Sequence, residues 1–472
     1  MKRRSIGMIS RPGTVRRAQR GIALPVTMMV VLVVTIIGAA ALELSRMEGE
    51  VAASDVNSIR ALAAAEKGLA RAKVMAMSQN RAWPIMTYNG SYLGFYMSTD
   101  PLYTGHYICD LFVNQPSGGD DSATYSVVVE DLSDWFPGAG YYRLHAYGHC
   151  GNELRHITQD SMTLTYAAFG WLTDSEDGIY FASGDVVDGW VYTNDQLNIW
   201  GNPVFTGKVN SAASSINYGH GGYPYDNPDF QQGVTLNSPI LNMSTLINDG
   251  HVNAIRTRAM DTEGVWLGPN EGRPYIVDFN ADGTIDVQKK LSDGSWTTII
   301  QDKDLDSTNG AIYVEEAVGV RGTVDGQATL ATPVNKDVYI LDDLVYASVP
   351  NVEDAFNPEF DFDDTEFDDK LGIIAGRDII MYKDWSEDWT DMYVMASCLA
   401  VTGSFRNYYY QSYGFKNLHV LGGIAQDTRG AVGMVNYRGF LKDYRYDQRF
   451  MVEPPPHFPV AMYDFMRWNL EQ

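Results

Sequence analysis

An uninterrupted apolar segment near the N-terminus constrains this 472-residue chain more than any other feature. Residues 22–42 contain no charged side chain. At about 1.5 Å of rise per residue, a helix of this length crosses the hydrocarbon core of a bilayer, which is about 30 Å thick. The apolar region of a secretory signal is shorter, about 7–15 residues. The sequence therefore predicts a membrane-spanning helix over residues 22–42.

Charge is distributed unevenly around this segment. All 59 acidic side chains lie after residue 42, whereas residues 1–21 contain seven of the 35 basic ones and no acid. The positive-inside rule places this basic leader in the cytoplasm and the acidic body across the membrane. A formal net charge of −24 disfavours a nucleic-acid partner.

The junction between leader and apolar segment carries a processing motif. Residues 20–24 read Arg-Gly-Ile-Ala-Leu, which resembles the site where prepilin peptidase cuts type IV prepilins after a glycine. The resemblance implies cleavage between Gly21 and Ile22, so that the mature protein keeps its membrane helix. Pro25 would be the fourth mature residue, where the backbone N–H has no intrahelical partner.

Two further features narrow the resemblance. The fifth mature position, a glutamate in most major pilins, is Val26, and residues 61–70 read Ala-Leu-Ala-Ala-Ala-Glu-Lys-Gly-Leu-Ala. Both are similar to the PilX-like minor pilins. This resemblance implies a minor pilin-like structural subunit, not an enzyme, in the assembly of a type IV pilus or related secretion filament or in adhesion by it. Its implied partners are other pilins, prepilin peptidase and the inner membrane, and its implied location is that membrane and then the pilus or cell surface. An ordinary single-pass anchor is the alternative.

Residues 43–79 contain no proline and are rich in good helix formers, so they should continue the helix outside the membrane. Leu44, Met47 and Val51 begin an incomplete apolar stripe. Glu66 fits either an ion pair between subunits or a solvated helix face.

Alternating apolar residues predict a small β-rich domain over residues 80–168, with a hairpin at Gly151-Asn152. Cys109 and Cys150 lie in strand-like runs, and export would permit a disulfide between them. Two buried thiols are the alternative, and Cys398 fits a core position. His145, His149 and His156 fit either a metal site or, more commonly, imidazoles on a hairpin surface.

Residues 169–459 contain many strands of three to five residues separated by Gly, Asn and Asp. Such strands suit the coils of a solenoid, so we predict a right-handed parallel β-helix with insertions, and a β-sandwich as the alternative. Parts of this region are similar to the β-helical ectodomain found behind PilX-like N-termini. The fold class is therefore mainly β with a long N-terminal helix. The tail, residues 460–472, permits a short helix over 461–470.

The sequence predicts no cofactor, with calcium as the one possible exception, because one acidic turn is a candidate calcium site. Asp278, Asn280, Asp282 and Asp286 occupy ligand positions of an EF-hand-like loop, but Lys289 stands where a bidentate acid is needed. A plain hairpin at Asp282-Gly283 explains the same residues. The acidic run 361–369 fits a solvated loop.

Two tyrosine-rich segments are candidates for contact with a glycan, a host surface or another partner. They are Tyr408, Tyr409, Tyr410 and Tyr413, and the loop 218–225; the alternative is packing between loop and solenoid. Parallel β-helices also include polysaccharide-active enzymes, so a membrane-tethered carbohydrate-binding or carbohydrate-active protein is the second functional hypothesis. No nucleophile or phosphate-binding motif is present, and we assign no catalytic residue.

Overall fold

The computed structural model describes residues 23–79, 87–88, 91–92, 96–103, 107–118, 122–132, 140–241, 243, 246, 251–357, 360, 367–382, 390–411, 416–434, 438–465 and 469–471. The longer α-helices among the described residues are α1 (Ala23–Gln79) and α2 (His251–Ala259). Short 3-10 helices lie at Pro101–Tyr103, Tyr166–Ala168, Asp354–Phe356 and Gln448–Met451.

The strands, numbered in chain order, are β1 (Thr87–Tyr88), β2 (Ser91–Tyr92), β3 (Tyr96–Met97), β4 (Tyr107–Pro116), β5 (Thr124–Asp131), β6 (Tyr141–Cys150), β7 (Glu153–Thr165), β8 (Trp171–Ser175), β9 (Phe181–Ala182), β10 (Val186–Val187), β11 (Val191–Thr193), β12 (Asn198–Trp200), β13 (Val204–Phe205), β14 (Val209–Ser211), β15 (Asn217–Tyr218), β16 (Asp229–Phe230), β17 (Val234–Thr235), β18 (Val265–Leu267), β19 (Tyr275–Phe279), β20 (Thr284–Lys290), β21 (Trp296–Asp304), β22 (Ala311–Val314), β23 (Val318–Val324), β24 (Gln327–Ala331), β25 (Val338–Tyr346), β26 (Lys370–Ala375), β27 (Ile379–Met381), β28 (Met392–Ala400), β29 (Phe405–Asn407), β30 (Lys416–Thr428), β31 (Gly433–Met434), β32 (Arg438–Arg445), β33 (Val460–Phe465) and β34 (Asn469–Glu471). The protein is mainly β with one long N-terminal helix, as the sequence predicts.

The small domain is an antiparallel sheet in the order β3-β4-β5-β6-β7-β33, and β34 also pairs with β7. The predicted hairpin joins β6 to β7, where Cys150 pairs with Glu153 and Gly151 has a φ of 60°. The C-terminal segment forms β33 and β34. The prediction of a short helix over residues 461–470 is therefore wrong. Val460 pairs with Thr165 of β7, and the hydrogen bonds of that sheet edge override the local helix propensity.

The second half of α1 lies across one face of this sheet. Its buried residues are small apart from one leucine: Ala61, Ala64, Ala65, Leu69, Ala72 and Ala76. They face sheet side chains such as Tyr125, Val127 and Leu144. The backbones approach closely, because a Cβ added to Gly148 would lie 1.8 Å from the carbonyl oxygen of Ala61. Small residues are therefore what lets the helix lie flat on the sheet.

The large domain is built on parallel ladders of short strands. One ladder contains ten strands in the order β18-β22-β24-β26-β28-β30-β8-β11-β14-β17. A single apolar stack follows it: Val265, Ile312, Leu330, Ile373, Cys398, Ile424, Trp171, Val191, Val209 and Val234. Parallel pairing between successive coils suits a solenoid, whereas β-sandwiches pair antiparallel strands. The right-handed β-helix assignment itself stays a prediction.

The order of the coils differs from their order in the chain. The first coil starts at β8 in the middle of the stack, and β17 ends the ladder on one side. The chain then continues through α2 to β18 at the opposite end and builds back toward β8, where Ile424 pairs with Trp171. Arg429 and Glu176 form a fully buried ion pair, 2.7 Å long, that joins the last coils to the first.

Candidate functional site

The first half of α1 has no cover within the described part of the chain. Every side chain from residue 24 to residue 56 is exposed, and the exposed large apolar ones include Leu24, Val26, Met28, Met29, Val31, Leu32, Val34, Ile36, Ile37 and Leu42. By length and composition, α1 could cross a membrane. At about 1.5 Å per residue, this exposed stretch is about 50 Å long.

Beyond the predicted membrane segment, the exposed stretch keeps an apolar stripe. Leu44, Met47 and Val51 are spaced along one side of α1, and Val51 is 60% exposed. Arg46 pairs within the helix, with Glu43 at 2.7 Å and with Glu50 at 2.8 Å. Glu66 is exposed, as either of its interpretations requires.

The processing residues Gly21 and Ile22 lie outside the described residues, as do the leader and the acidic positions 361–366. Asp369, at the end of the acidic run, is buried and accepts hydrogen bonds from the backbone N–H groups of Gly326 and Ser348, at 2.6 and 2.7 Å. This carboxylate therefore fixes loop backbone instead of facing solvent.

The histidines of the small domain are not brought together as a set of three. His145 Nε2 lies 2.9 Å from Glu130 Oε2, and His145 Nδ1 lies 3.1 Å from His156 Nε2. His149 is exposed, at the far end of β6. Among the described residues, no group of three or more His, Cys, Asp or Glu could hold a metal ion. The arrangement supports a polar network on the sheet.

The predicted disulfide is wrong in this structure, where Cys109 and Cys150 are both buried free thiols. Cys109 pairs with Val129, and Val129 pairs with Leu144. Cys150 lies six residues beyond Leu144 in the same strand, a distance of about 20 Å at 3.3 Å per residue, whereas a disulfide needs Cα atoms within about 7 Å. Burial, with a contribution from the nearby Asp110, raises the pKa of the Cys109 thiol to about 11.

The acidic turn forms the predicted hairpin between β19 and β20, in which Asp278 pairs with Asp286. The carboxylate of Asp278 accepts a hydrogen bond from Arg321 at 2.6 Å. Asp282 Oδ1 accepts one from the Thr284 hydroxyl at 2.7 Å, and Asp286 Oδ1 accepts one from a backbone N–H of β21 at 2.8 Å. Asn280 donates to Thr284. These contacts support the hairpin interpretation, and calcium stays a prediction.

Tyr382 also belongs to the tyrosine cluster near residue 408, which the sequence alone does not indicate. Tyr408 is 51% exposed, and its ring centroid lies 4.6 Å from that of Tyr409 and 5.3 Å from that of Tyr382. Tyr382 follows β27 and Tyr408 follows β29; these strands pair in register, which brings the rings together. Tyr410 accepts a hydrogen bond from a neighbouring glutamine. Tyr413 lies outside the described residues.

The loop 219–226 is held by a carboxylate that sequence reasoning missed. Asp226 is buried and accepts hydrogen bonds from the backbone N–H groups of Gly201 and His220, both at 2.7 Å, and of Gly222, at 3.1 Å. It also pairs with His220 Nδ1 at 2.9 Å. Burial alone would raise the pKa of Asp226, but these hydrogen bonds lower it to about 2. In the sequence, a single Asp at the end of a Gly/Tyr-rich loop does not indicate that its carboxylate holds the loop backbone.

Comparison with known proteins gives one partial family match and a distant structural similarity. The family described as "Domain of unknown function (DUF4900)" matches residues 145–214, which run from within β6 to just beyond β14. No curated protein matches the chain. One similar solved structure is the competence-associated pilin ComZ from Thermus thermophilus, which is 12% identical; the alignment covers 88% of this chain and 97% of that one, with a TM-score of 0.32. At that TM-score, the similarity supports no conclusion about the function of this chain.

Proposed function

We propose that this chain is a minor pilin-like structural subunit of a type IV pilus or related secretion filament. Prepilin peptidase cuts the leader after Gly21, and α1 first holds the protein in the inner membrane. The same helix then packs against helices of other pilins in the filament, while the acidic body faces outward and offers a surface for adhesion.

One observation supports this proposal: the exposed stretch of α1 is longer than a membrane is thick, and beyond the uncharged segment it keeps an exposed apolar stripe among charged residues. The exposed part is about 50 Å long and the hydrocarbon core about 30 Å, so lipid covers only part of it. Leu44, Met47 and Val51 follow the uncharged segment on the exported side, and their exposure leaves an apolar stripe in water. Packing against another helix would bury it.

The small domain contacts α1 only from about residue 54 onward and leaves the preceding exposed stretch uncovered. Contacts with the sheet start near Ser54, whose hydroxyl donates to Glu153 Oε1 at 2.6 Å, and Ser58, which accepts a hydrogen bond from Arg155 at 2.9 Å. Burial begins at Ala61. A helix that is docked only by its second half leaves its first half available to other subunits.

N-terminal sequencing of the mature protein from the native membrane tests the proposal. We expect the mature chain to begin at Ile22 in cells that contain prepilin peptidase, and at Met1 in cells that lack it. Gly21→Leu should block cleavage in the first strain. Arg20→Lys is the matched control, because it keeps both the glycine and the basic charge.

Two results would contradict the proposal. A mature chain that begins near Leu42 would be a secreted protein without its membrane helix. An intact N-terminus in cells with active peptidase would leave an ordinary single-pass anchor.

A further inference from the structure

The loop 219–226 presents aromatic rings at the end of one solenoid ladder. β15, which precedes the loop, pairs with β12, and β12 pairs with β9. Tyr223 is 84% exposed and Tyr225 is 71% exposed. Exposed aromatic side chains on a loop whose backbone is fixed are candidates for contact with a ligand.

The loop holds these rings on a built platform. The backbone passes directly over an indole, since a Cβ added to Gly219 would lie 2.2 Å from the Trp200 ring. The ring centroid of His220 lies 4.0 Å from that of Trp200, and the ring centroid of Tyr225 lies 6.5 Å from that of His220. Asp226 fixes the backbone beneath, so a ligand would meet rings whose loop is already ordered.

The surroundings of the platform select the class of ligand. Residues 176–235 contain seven acidic side chains and one basic one, Lys208. Two basic side chains from elsewhere, Arg429 and Lys442, are already paired with Glu176 and Asp185, so the charges near the platform disfavour an anionic ligand. The exposed carboxamide residues Asn202 and Asn227 lie beside the loop, and the backbone N–H of Asn227 donates to Asn202 Oδ1 at 3.1 Å. Aromatic faces next to amide groups suit a ligand with one apolar face and many hydroxyl groups.

We propose that Trp200, His220, Tyr223 and Tyr225 form a binding platform for a neutral glycan. The C–H face of a pyranose ring stacks on Tyr223 and Tyr225, and the carboxamides of Asn202 and Asn227 hydrogen-bond its hydroxyls. The tyrosines near residue 408 are less suited, because they are less exposed than Tyr223 and Tyr225: Tyr408 is 51% exposed, Tyr382 is 36% exposed and Tyr409 is half-buried. This proposal does not depend on filament assembly.

Calorimetric titration of the full-length protein in detergent micelles tests the platform, with cellotetraose and chitotetraose as neutral probes. We expect saturable binding of at least one probe. The double variant Tyr223→Ala/Tyr225→Ala should weaken it about tenfold, because two stacking contacts are lost. Tyr223→Phe/Tyr225→Phe keeps the rings and should bind as the wild type does.

The matched control is Tyr408→Ala/Tyr409→Ala, which removes two tyrosines from the other cluster and should leave the affinity within about twofold. Thermal unfolding of each variant checks that the fold is intact. The proposal is overturned if neither probe binds the wild-type protein, if binding survives loss of Tyr223 and Tyr225, or if the control variant loses as much affinity. Binding of tetramethylammonium in place of the sugars would also overturn it, because the platform would then be a cation site.

Discussion

The two halves of α1 differ both in the size of their apolar side chains and in their surroundings. Residues 24–56 carry valine, leucine, isoleucine and methionine side chains that are all exposed. Residues 61–76 bury alanines and a single leucine, Leu69, which is 3% exposed. In a helix that served only its own domain, the large apolar side chains would be the buried ones. No described residue of this chain covers the first half, and lipid or a helix of another subunit would supply the cover under the proposed function.

Glycines show the same contrast between the two halves. A Cβ added to Gly68 would lie 2.7 Å from the Tyr125 ring, whereas Gly38 and Gly49 have nothing within 4 Å. Glycine in a helix interior costs roughly 0.5–1 kcal/mol relative to alanine. In the second half, close packing on the sheet explains this cost. In the first half, nothing in the described structure explains it, and close approach of a neighbouring helix would.

Truncating one leucine in each half should give the largest difference. Leu69→Ala removes a buried side chain from the interface between helix and sheet, and we expect it to lower the free energy of unfolding of the small domain by about 2–5 kcal/mol. Leu44→Ala, in the exposed half, should change it by less than about 0.5 kcal/mol. Chemical denaturation of the full-length protein in micelles measures both. Equal losses would mean that α1 packs along its whole length.

The paired glycine substitutions should have a smaller effect, of opposite sign in the two regions. Gly148→Ala places a methyl group against the Ala61 carbonyl and should destabilise the small domain by about 1–3 kcal/mol. Gly49→Ala has open space in the isolated subunit and should raise helix stability by roughly 0.5–1 kcal/mol. Thermal unfolding measures both changes. A neutral Gly148→Ala variant would show that the helix does not lie close on the sheet.

The smallest expected effect lies at the boundary between the halves. Ser54→Ala removes the exposed hydrogen bond to Glu153 and should lower the free energy of unfolding by about 0.5 kcal/mol relative to Ser45→Ala, which gains the same helix propensity. The control is Ser45→Ala, which lies nearer the N-terminus in the exposed part of α1. It should not lower the free energy of unfolding of the small domain. Hydrogen exchange should show earlier opening of α1 around residue 54 in the first variant. Unchanged hydrogen exchange would indicate that the docked part of α1 begins closer to Ala61 than to Ser54.

Sequence reasoning succeeds where local pattern decides the structure. Residues 43–79 contain no proline and are predicted to continue the helix, and α1 extends to Gln79. The turn at Gly151-Asn152 and the hairpin at Asp282-Gly283 are also correct, because turn residues specify them locally. The core position of Cys398 is confirmed by its place in the apolar stack of the ladder.

Long-range pairing accounts for what the sequence does not reveal. Ile424 pairs with Trp171 across about 250 residues of chain, and no local pattern encodes that contact. The C-terminal strands form because β7 offers them an edge, and the separation of Cys109 from Cys150 follows from strand register. Tyr382 joins Tyr408 only through the pairing of β27 with β29, and Asp226 acts through backbone groups that any residue could supply.

Site-specific photo-crosslinking most directly tests whether another subunit covers the exposed half of α1. A photoreactive residue at Val51 should cross-link to the N-terminal helix of another pilin in assembled filaments, and the same residue at Met47 should do so too. At Thr257, an exposed position on α2, it should give no such product. Cross-links to lipid alone at positions 47 and 51, with no protein partner, would contradict the account.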